Sequence, residues 1–117
     1  MLIAEDDKAT RDAVVAMLEE FGITDVVTTR NGEEALKVLE EQQFDTLLLD
    51  LMMPKVDGYE VLKELRKGKH KRPHRVIVMS AHAQPAELDG LMELGADAFM
   101  PKPFTLNDLE RVLADND

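Results

Sequence analysis

Glu5, Asp6 and Asp7 follow the apolar run Leu2-Ile3-Ala4, Asp50 follows Leu47-Leu48-Leu49, and Lys102 follows Phe99-Met100-Pro101. An unpartnered buried carboxylate costs several kcal/mol, so charges placed repeatedly at the ends of apolar runs imply that they converge on something. If these runs are parallel strands of one sheet, the charges meet at its carboxyl edge, where open α/β sheets hold their ligands. Three or four carboxylates gathered there cannot all ionise comfortably without a cation. Mg2+ suits them, because it is hard, seeks oxygen and accepts one or two carboxylates while keeping several waters. Zinc does not: there is no cysteine, and His70, His74 and His82 share no metal-ligand spacing. The chemistry these residue types offer is phosphoryl transfer. Asp50 could attack phosphorus as a carboxylate nucleophile, giving an acyl phosphate. Mg2+ and Lys102 would neutralise the oxygens of the transferring group, and Ser80, which ends Val76-Ile77-Val78-Met79, could donate a hydrogen bond to the new phosphoryl group.

Each part also has a plainer reading. Acids at positions 5–7 suit a helix N-terminus, a lysine in a turn is often simply solvated, and a serine at a strand end often caps a helix. Asp50 favours a site, because it follows a fully apolar run and no helix begins immediately after it. Lys102 lies between Pro101 and Pro103, in a turn whose backbone proline restricts and whose X-Pro bond can be cis. Such a lysine is aimed, and it could bridge to Asp50 and to any anion held there.

The elements that must position these residues alternate. Strands are expected at about 2–5, 25–29, 45–50, 75–80 and 97–101. Helix one is expected from Lys8 to Phe21 with Ala13, Val14, Met17, Leu18 and Phe21 buried, and Gly22 stops it. Helix two opens at Asn31, with Glu34 at capping-box spacing, and carries Ala35, Leu36 and Leu39 on its apolar face. Helix three follows Asp57-Gly58 and buries Val61, Leu62 and Leu65. Helix four starts near Pro85 and buries Leu88, Leu91 and Met92 before Gly95. Helix five is announced by Thr105 and carries Leu106, Leu109, Val112 and Leu113. Strand and helix thus alternate five times. Crossovers through helices force parallel pairing of right-handed sense. The expected architecture is a flavodoxin-like (βα)5 three-layer sandwich with strand order 2-1-3-4-5, and residues 1–117 are expected to form a single domain.

Composition narrows the partners. A net charge of −10 disfavours non-specific nucleic-acid binding, since phosphate repels such a surface. There is no tryptophan and only 4% aromatic residues, which gives no base-stacking platform. No apolar run approaches the roughly 20 residues of a membrane span, and the first apolar run is too short for a signal peptide. With no cysteine there is no disulfide framework. Together these suit a cytoplasmic location. No glycine-rich phosphate loop is present, so a nucleotide pocket is unsupported.

Taken in order and spacing, Glu5-Asp6-Asp7, Asp50-Leu51-Met52-Met53-Pro54, Asp57-Gly58, Ser80-Ala81 and Lys102-Pro103-Phe104 make the chain resemble the receiver domain of two-component response regulators over essentially its whole length. The resemblance implies a phosphorelay signalling role, with Asp50 as phosphoacceptor and Lys102 as the family's lysine beside it. It implies that Asp6 and Asp50 bind Mg2+ (or Mn2+) directly, that Glu5 acts through water, and that the backbone carbonyl of Met52 completes the metal shell. Asp7 aligns just outside the acidic pair. Ser80 and Phe99 are similar to the switch hydroxyl and the switch aromatic; Phe99 has the ring without the hydroxyl of the tyrosine common there. Met52 and His82 lie at positions that tune phosphoryl lifetime. The implied donor is a histidine kinase or histidine phosphotransfer protein, and the implied reader of the helix 4–strand 5–helix 5 face is an output domain or target protein. No direct nucleic-acid or membrane contact is implied, and monomer and phosphorylation-dependent dimer both stay open.

Two other classes compete. One is a Mg2+-dependent phosphohydrolase with an aspartate nucleophile. It would need a second acid near Asp50 and a substrate-selecting cap, whereas Met52 stands two residues on and no cap segment is visible. The other is an interaction domain independent of phosphorylation, for which loss of Asp6, Asp50 or Lys102 would argue. The expected chemistry is self-directed, phosphorylation from a donor and autodephosphorylation, rather than enzymatic turnover. The basic run Arg66 to Arg75 joins helix three to strand four, at the opposite edge of the sheet, and reads as a solvated loop ahead of a docking patch.

Overall fold

The computed structural model describes residues 1–53, 55–68, 70–81 and 85–114. Its elements are β1 (Leu2–Ala4), α1 (Lys8–Glu20), β2 (Val27–Thr29), α2 (Gly32–Glu41), β3 (Thr46–Asp50), α3 (Gly58–Arg66), β4 (Arg75–Ser80), α4 (Pro85–Glu93), β5 (Ala98–Pro101) and α5 (Leu106–Ala114). The five strands form one sheet in the order β2-β1-β3-β4-β5, every pairing parallel. This is the expected (βα)5 sandwich. The chain moves one way from β1 to β2 and the other way thereafter. Right-handed crossovers therefore send α1 to one face of the sheet and α2, α3 and α4 to the other.

The alternation of side chains along each strand divides the core accordingly. Leu2, Ala4, Leu47, Leu49, Val76 and Val78 pack with Ala35, Leu39, Val61, Leu62, Leu65 and Leu91. Ile3, Leu48, Ile77, Met79 and Met100 pack on the other side with Val14, Leu18, Leu109 and Val112. Both faces of β3 and β4 are covered, which is why Leu47–Leu49 and Val76–Met79 are apolar without interruption.

Several local expectations shift. β1 stops at Ala4, and β2 is confined to Val27–Thr29 at the sheet edge. Ala13 is exposed, so α1 buries Val14 and Leu18 and leaves Val15, Met17 and Phe21 partly covered. Met92 and Leu106, both expected inside, are 51% and 45% exposed. Each lies on a helix flanking edge strand β5, where no further strand covers the outer side. At α2, Asn31 accepts from the Glu34 N–H at 2.8 Å, but Glu34 reaches back to the N–H of Arg30 at 2.9 Å rather than to that of Asn31. The reciprocal box is found instead at α5, between Thr105 and Asp108.

The basic run is not simply solvated. Arg66 Nη1 donates to the Glu93 carbonyl at 2.5 Å, and Arg72 Nη2 to the Gly95 carbonyl at 2.5 Å. Both carbonyls stand at or just beyond the C-terminus of α4, where the helix leaves acceptors unsatisfied and its dipole favours cations. The Lys71 N–H bonds the Leu39 carbonyl at 2.9 Å and Gln43 Nε2 bonds the Arg72 carbonyl at 2.9 Å. The run thus ties α2 and α3 to the end of α4, at the amino edge of the sheet.

A candidate phosphoacceptor site

At the carboxyl edge, β1 and β3 are neighbours with Ala4 opposite Leu49, so Glu5 and Asp50 emerge side by side. Glu5 is fully buried and Asp50 is 2% exposed, whereas Asp6 faces solvent. One carboxylate oxygen from each of Glu5, Asp6 and Asp50 lies within 4.8 Å of the others. Lys102, carried in from the far side of the sheet by β5, places Nζ 2.5 Å from Glu5 Oε1 and 3.3 Å from Asp50 Oδ1. The Lys102–Pro103 peptide is cis, and the Lys102 N–H donates to the Ser80 carbonyl at 3.0 Å. The turn after β5 is thereby tied to the end of β4.

The backbone around the acids is tightly held. Glu5 N–H donates to the Thr29 carbonyl at 3.1 Å, and Glu5 Oε2 accepts from the Asp7 N–H at 3.1 Å. Asp7 is the N-cap of α1: its Oδ2 accepts from the Thr10 N–H at 3.0 Å and the Thr10 hydroxyl at 2.6 Å. On the β3 side, Asp50 Oδ1 accepts from the Met52 N–H at 3.3 Å. The loop after Asp50 is closed by two glycines. Gly58 N–H donates to the Leu51 carbonyl at 3.0 Å, and a Cβ there would stand 2.6 Å from the Asp50 carbonyl oxygen. Gly32 N–H donates to the Val56 carbonyl at 2.9 Å, and a Cβ there would stand 2.0 Å from that oxygen.

Burial pushes the Glu5 carboxyl up to about 7 against the opposing pull of Lys102, with the Asp50 charge adding to the rise. Asp50 is also raised by burial, although Lys102 and Glu5 pull it the other way. Burial alone would lower Lys102, but the bonds and charges of Glu5 and Asp50 outweigh it and raise its pKa. One ammonium therefore does not satisfy the cluster. Glu5 Oε1 is buried and touches the ammonium without a well-aligned hydrogen bond. Three hard oxygen donors, a shortfall of positive charge and an exposed Asp6 open to solvent make the Glu5, Asp6 and Asp50 cluster fit a divalent cation of the Mg2+ type.

The other expected residues fall around this centre. Ser80 ends β4 and is buried. Phe99 is half-buried on β5, against the cluster that contains Val78 and Leu91. The Met52 side chain is 75% exposed beside Asp50. His82 lies outside the described residues. A shallow hollow of about 390 Å3 adjoins Lys102, walled by Ala9, Ala13, Met17, Ala81 and Phe104. Sequence reasoning missed Arg11, whose guanidinium reaches back to the acidic loop, and Gly32. The Gly32 signal, a glycine in the first turn of a capped helix, was available. A long side chain bonding backbone carbonyls leaves no pattern in a sequence.

The site and fold define a receiver domain: the chain belongs to the response regulator receiver domain family, whose model matches residues 1–114. Among curated relatives, response regulator MprA of Mycobacterium ulcerans is 36% identical over 109 residues, covering 93% of this chain and 46% of that protein. Transcriptional regulatory protein CiaR of Streptococcus pneumoniae is 38% identical over 110 residues, covering 94% and 47%. The chain thus spans about half the length of the curated relatives it matches. Among solved structures, chemotaxis protein CheY4 of Vibrio cholerae superposes with a TM-score of 0.86 at 26% identity, covering 97% of this chain and 93% of that one. The receiver domain of sensor histidine kinase PA1611 from Pseudomonas aeruginosa, solved with a magnesium ion coordinated in its active-site cleft, gives 0.84 at 28% identity, covering 96% and 91%.

Proposed function

We propose that residues 1–117 act as one receiver unit in which Asp50 accepts a phosphoryl group from a phosphohistidine on a histidine kinase or histidine phosphotransfer protein. The observation that carries this reading is Asp50 itself: a buried carboxylate at a strand end, with an ammonium 3.3 Å from Oδ1 and two further acids at hand. An Asp50 oxygen attacks phosphorus, the P–N bond breaks, and its electron pair leaves with the imidazole, so an acyl phosphate replaces a phosphoramidate. Mg2+, or Mn2+ in its place, supplies charge neutralisation at the transferring oxygens. Asp6 and Asp50 would hold it directly, with the Met52 carbonyl as a further ligand and Glu5 acting through water. Lys102, already on Asp50, is placed to take over a phosphoryl oxygen. The Met52 N–H holds the Asp50 carboxylate in place. The hollow that Lys102 lines is where we place the apolar flank of the donor.

The new charge, about −1.5 to −2, is read by Ser80 at the end of β4 and by Phe99 on β5. Those two residues link the site to the α4–β5–α5 face, which an output domain or target protein would read. A dimer formed through that face on phosphorylation is one form such a readout can take. Met52 and His82 are the residues we assign to tuning the lifetime of the phosphoryl group. A cytoplasmic setting suits this chemistry, and no helix among the described residues is long and apolar enough to cross a membrane. The hydrolase reading loses ground because the side chain two residues beyond Asp50 is an exposed thioether, which transfers no proton to a leaving group.

The test is intact mass after incubation with acetyl phosphate and Mg2+. Wild type gains one phosphoryl group; Asp50→Asn and EDTA-treated wild type gain none. Equal labelling of wild type and Asp50→Asn sinks the assignment, and repeated turnover of a phosphate ester would mark a hydrolase instead.

A further inference from the structure

Arg11 lies one turn into α1, and its side chain folds back over the loop that α1 follows. A single Nη1 donates to the carbonyl oxygen of Glu5 at 2.9 Å and to that of Asp6 at 3.1 Å. The backbone N–H of Arg11 meanwhile bonds the Asp7 carbonyl at 2.9 Å within the helix. One residue therefore engages the carbonyls of all three acids in turn. Glu5 has other anchors, its N–H on Thr29 and its side chain on Asp7 and Lys102. The Asp6 side chain is exposed, so packing does little to set its direction, and its backbone must do so.

We propose that Arg11 is a positioning residue for the divalent cation: by bridging the Glu5 and Asp6 carbonyls it fixes the backbone that presents the Asp6 carboxylate to the ion. The proposal rests on the reading of the cluster as a Mg2+ site. It makes a sign prediction that charge alone reverses. A guanidinium near a cation site repels the cation, so removing it should tighten binding if electrostatics is its only influence. If Arg11 holds the loop in shape, removing it loosens binding, as loss of outer-shell partners typically does by about 10–100-fold.

The experiment is calorimetric titration of the metal-stripped full chain with Mg2+, for wild type, Arg11→Ala, Arg11→Lys and Lys8→Ala. Lys8 is an exposed cation on the same helix, ion-paired to Asp12 at 2.7 Å, so its loss makes the same charge change without touching the carbonyls. Arg11→Ala is expected to raise Kd about tenfold or more, with faster amide exchange at Asp6 and Asp7. Arg11→Lys, which keeps the charge on a head group of different shape and reach, should fall between. Lys8→Ala should bind as wild type or more tightly. Melting in EDTA shows whether each variant is folded, and if Arg11→Ala is not, Arg11→Lys carries the comparison. Unchanged or tighter Mg2+ binding by a folded Arg11 variant overturns the role of Arg11 and leaves the site reading intact. A wild type that takes up no Mg2+ brings down both.

Discussion

Glu5 is where the site's electrostatics are most exposed to test. Its carboxyl is raised to about 7 by burial, against about 4.3 for an unperturbed glutamate. Between those values the folded chain holds a proton that the unfolded chain has released, so stability from this group falls as pH rises through that window. Other acids work in the opposite direction. Thr10 holds Asp7 below its usual value, Arg30 does the same for Glu34, and Thr105 for Asp108. Those contributions are present above the ordinary carboxylate range and are lost as pH falls through the depressed values. The absolute melting curve mixes both signs, and a difference isolates one. In EDTA, the melting temperature of Glu5→Gln relative to wild type should climb from pH 4.5 to pH 7. A flat difference would mean that Glu5 is not held protonated by its surroundings.

At the scale of elements, helix starts fix the loop that follows Asp50, and glycine allows the approach. Gly58 and Gly90 both lie inside helices, yet a Cβ at Gly58 would meet the Asp50 carbonyl at 2.6 Å while one at Gly90 meets nothing within 4 Å. Gly58→Ala should therefore destabilise by about 1–3 kcal/mol through forced backbone displacement and slow labelling of Asp50. Gly90→Ala should stabilise by about 0.5–1 kcal/mol from helix propensity. Urea unfolding of both variants reads the pair, and equal effects would mean the contact at Gly58 is not limiting. The strand order was legible because helical crossovers leave few alternatives, and the acids and lysine were legible because charge at the end of an apolar run is unusual. What the sequence hid depends on neighbours distant in the chain. Ala13 fits the helical period but faces out, Met92 and Leu106 flank an edge strand with nothing beyond it, and Arg66 and Arg72 spend their charge on the carbonyls ending α4. A charge run carries no mark that separates a helix-end clamp from a solvated loop.

For the molecule as a whole, the net charge of −10 and the cluster of acids at one rim make stability depend on cations in two separable ways. Any salt screens long-range self-repulsion, and that effect depends on ionic strength rather than on the identity of the ion. A bound divalent ion adds a second effect, because a ligand that binds only the folded chain stabilises by RT ln(1 + [L]/Kd). At a Mg2+ concentration about 100 times Kd the gain is about 2.7 kcal/mol, or roughly 10 °C in melting temperature for a domain of this size. Part of that gain offsets the burial that now holds Glu5 and Asp50 above their ordinary values. The site-specific share is the difference between MgCl2 and NaCl matched in ionic strength. Wild type should melt several degrees higher in MgCl2, and Asp6→Asn, which neutralises the exposed acid of the cluster while leaving the buried pair and Lys102 in place, should lose most of that difference. If Asp6→Asn keeps the full Mg2+ increment, the ion is acting on the surface at large and the convergence of acids at the rim of the sheet is not its binding site.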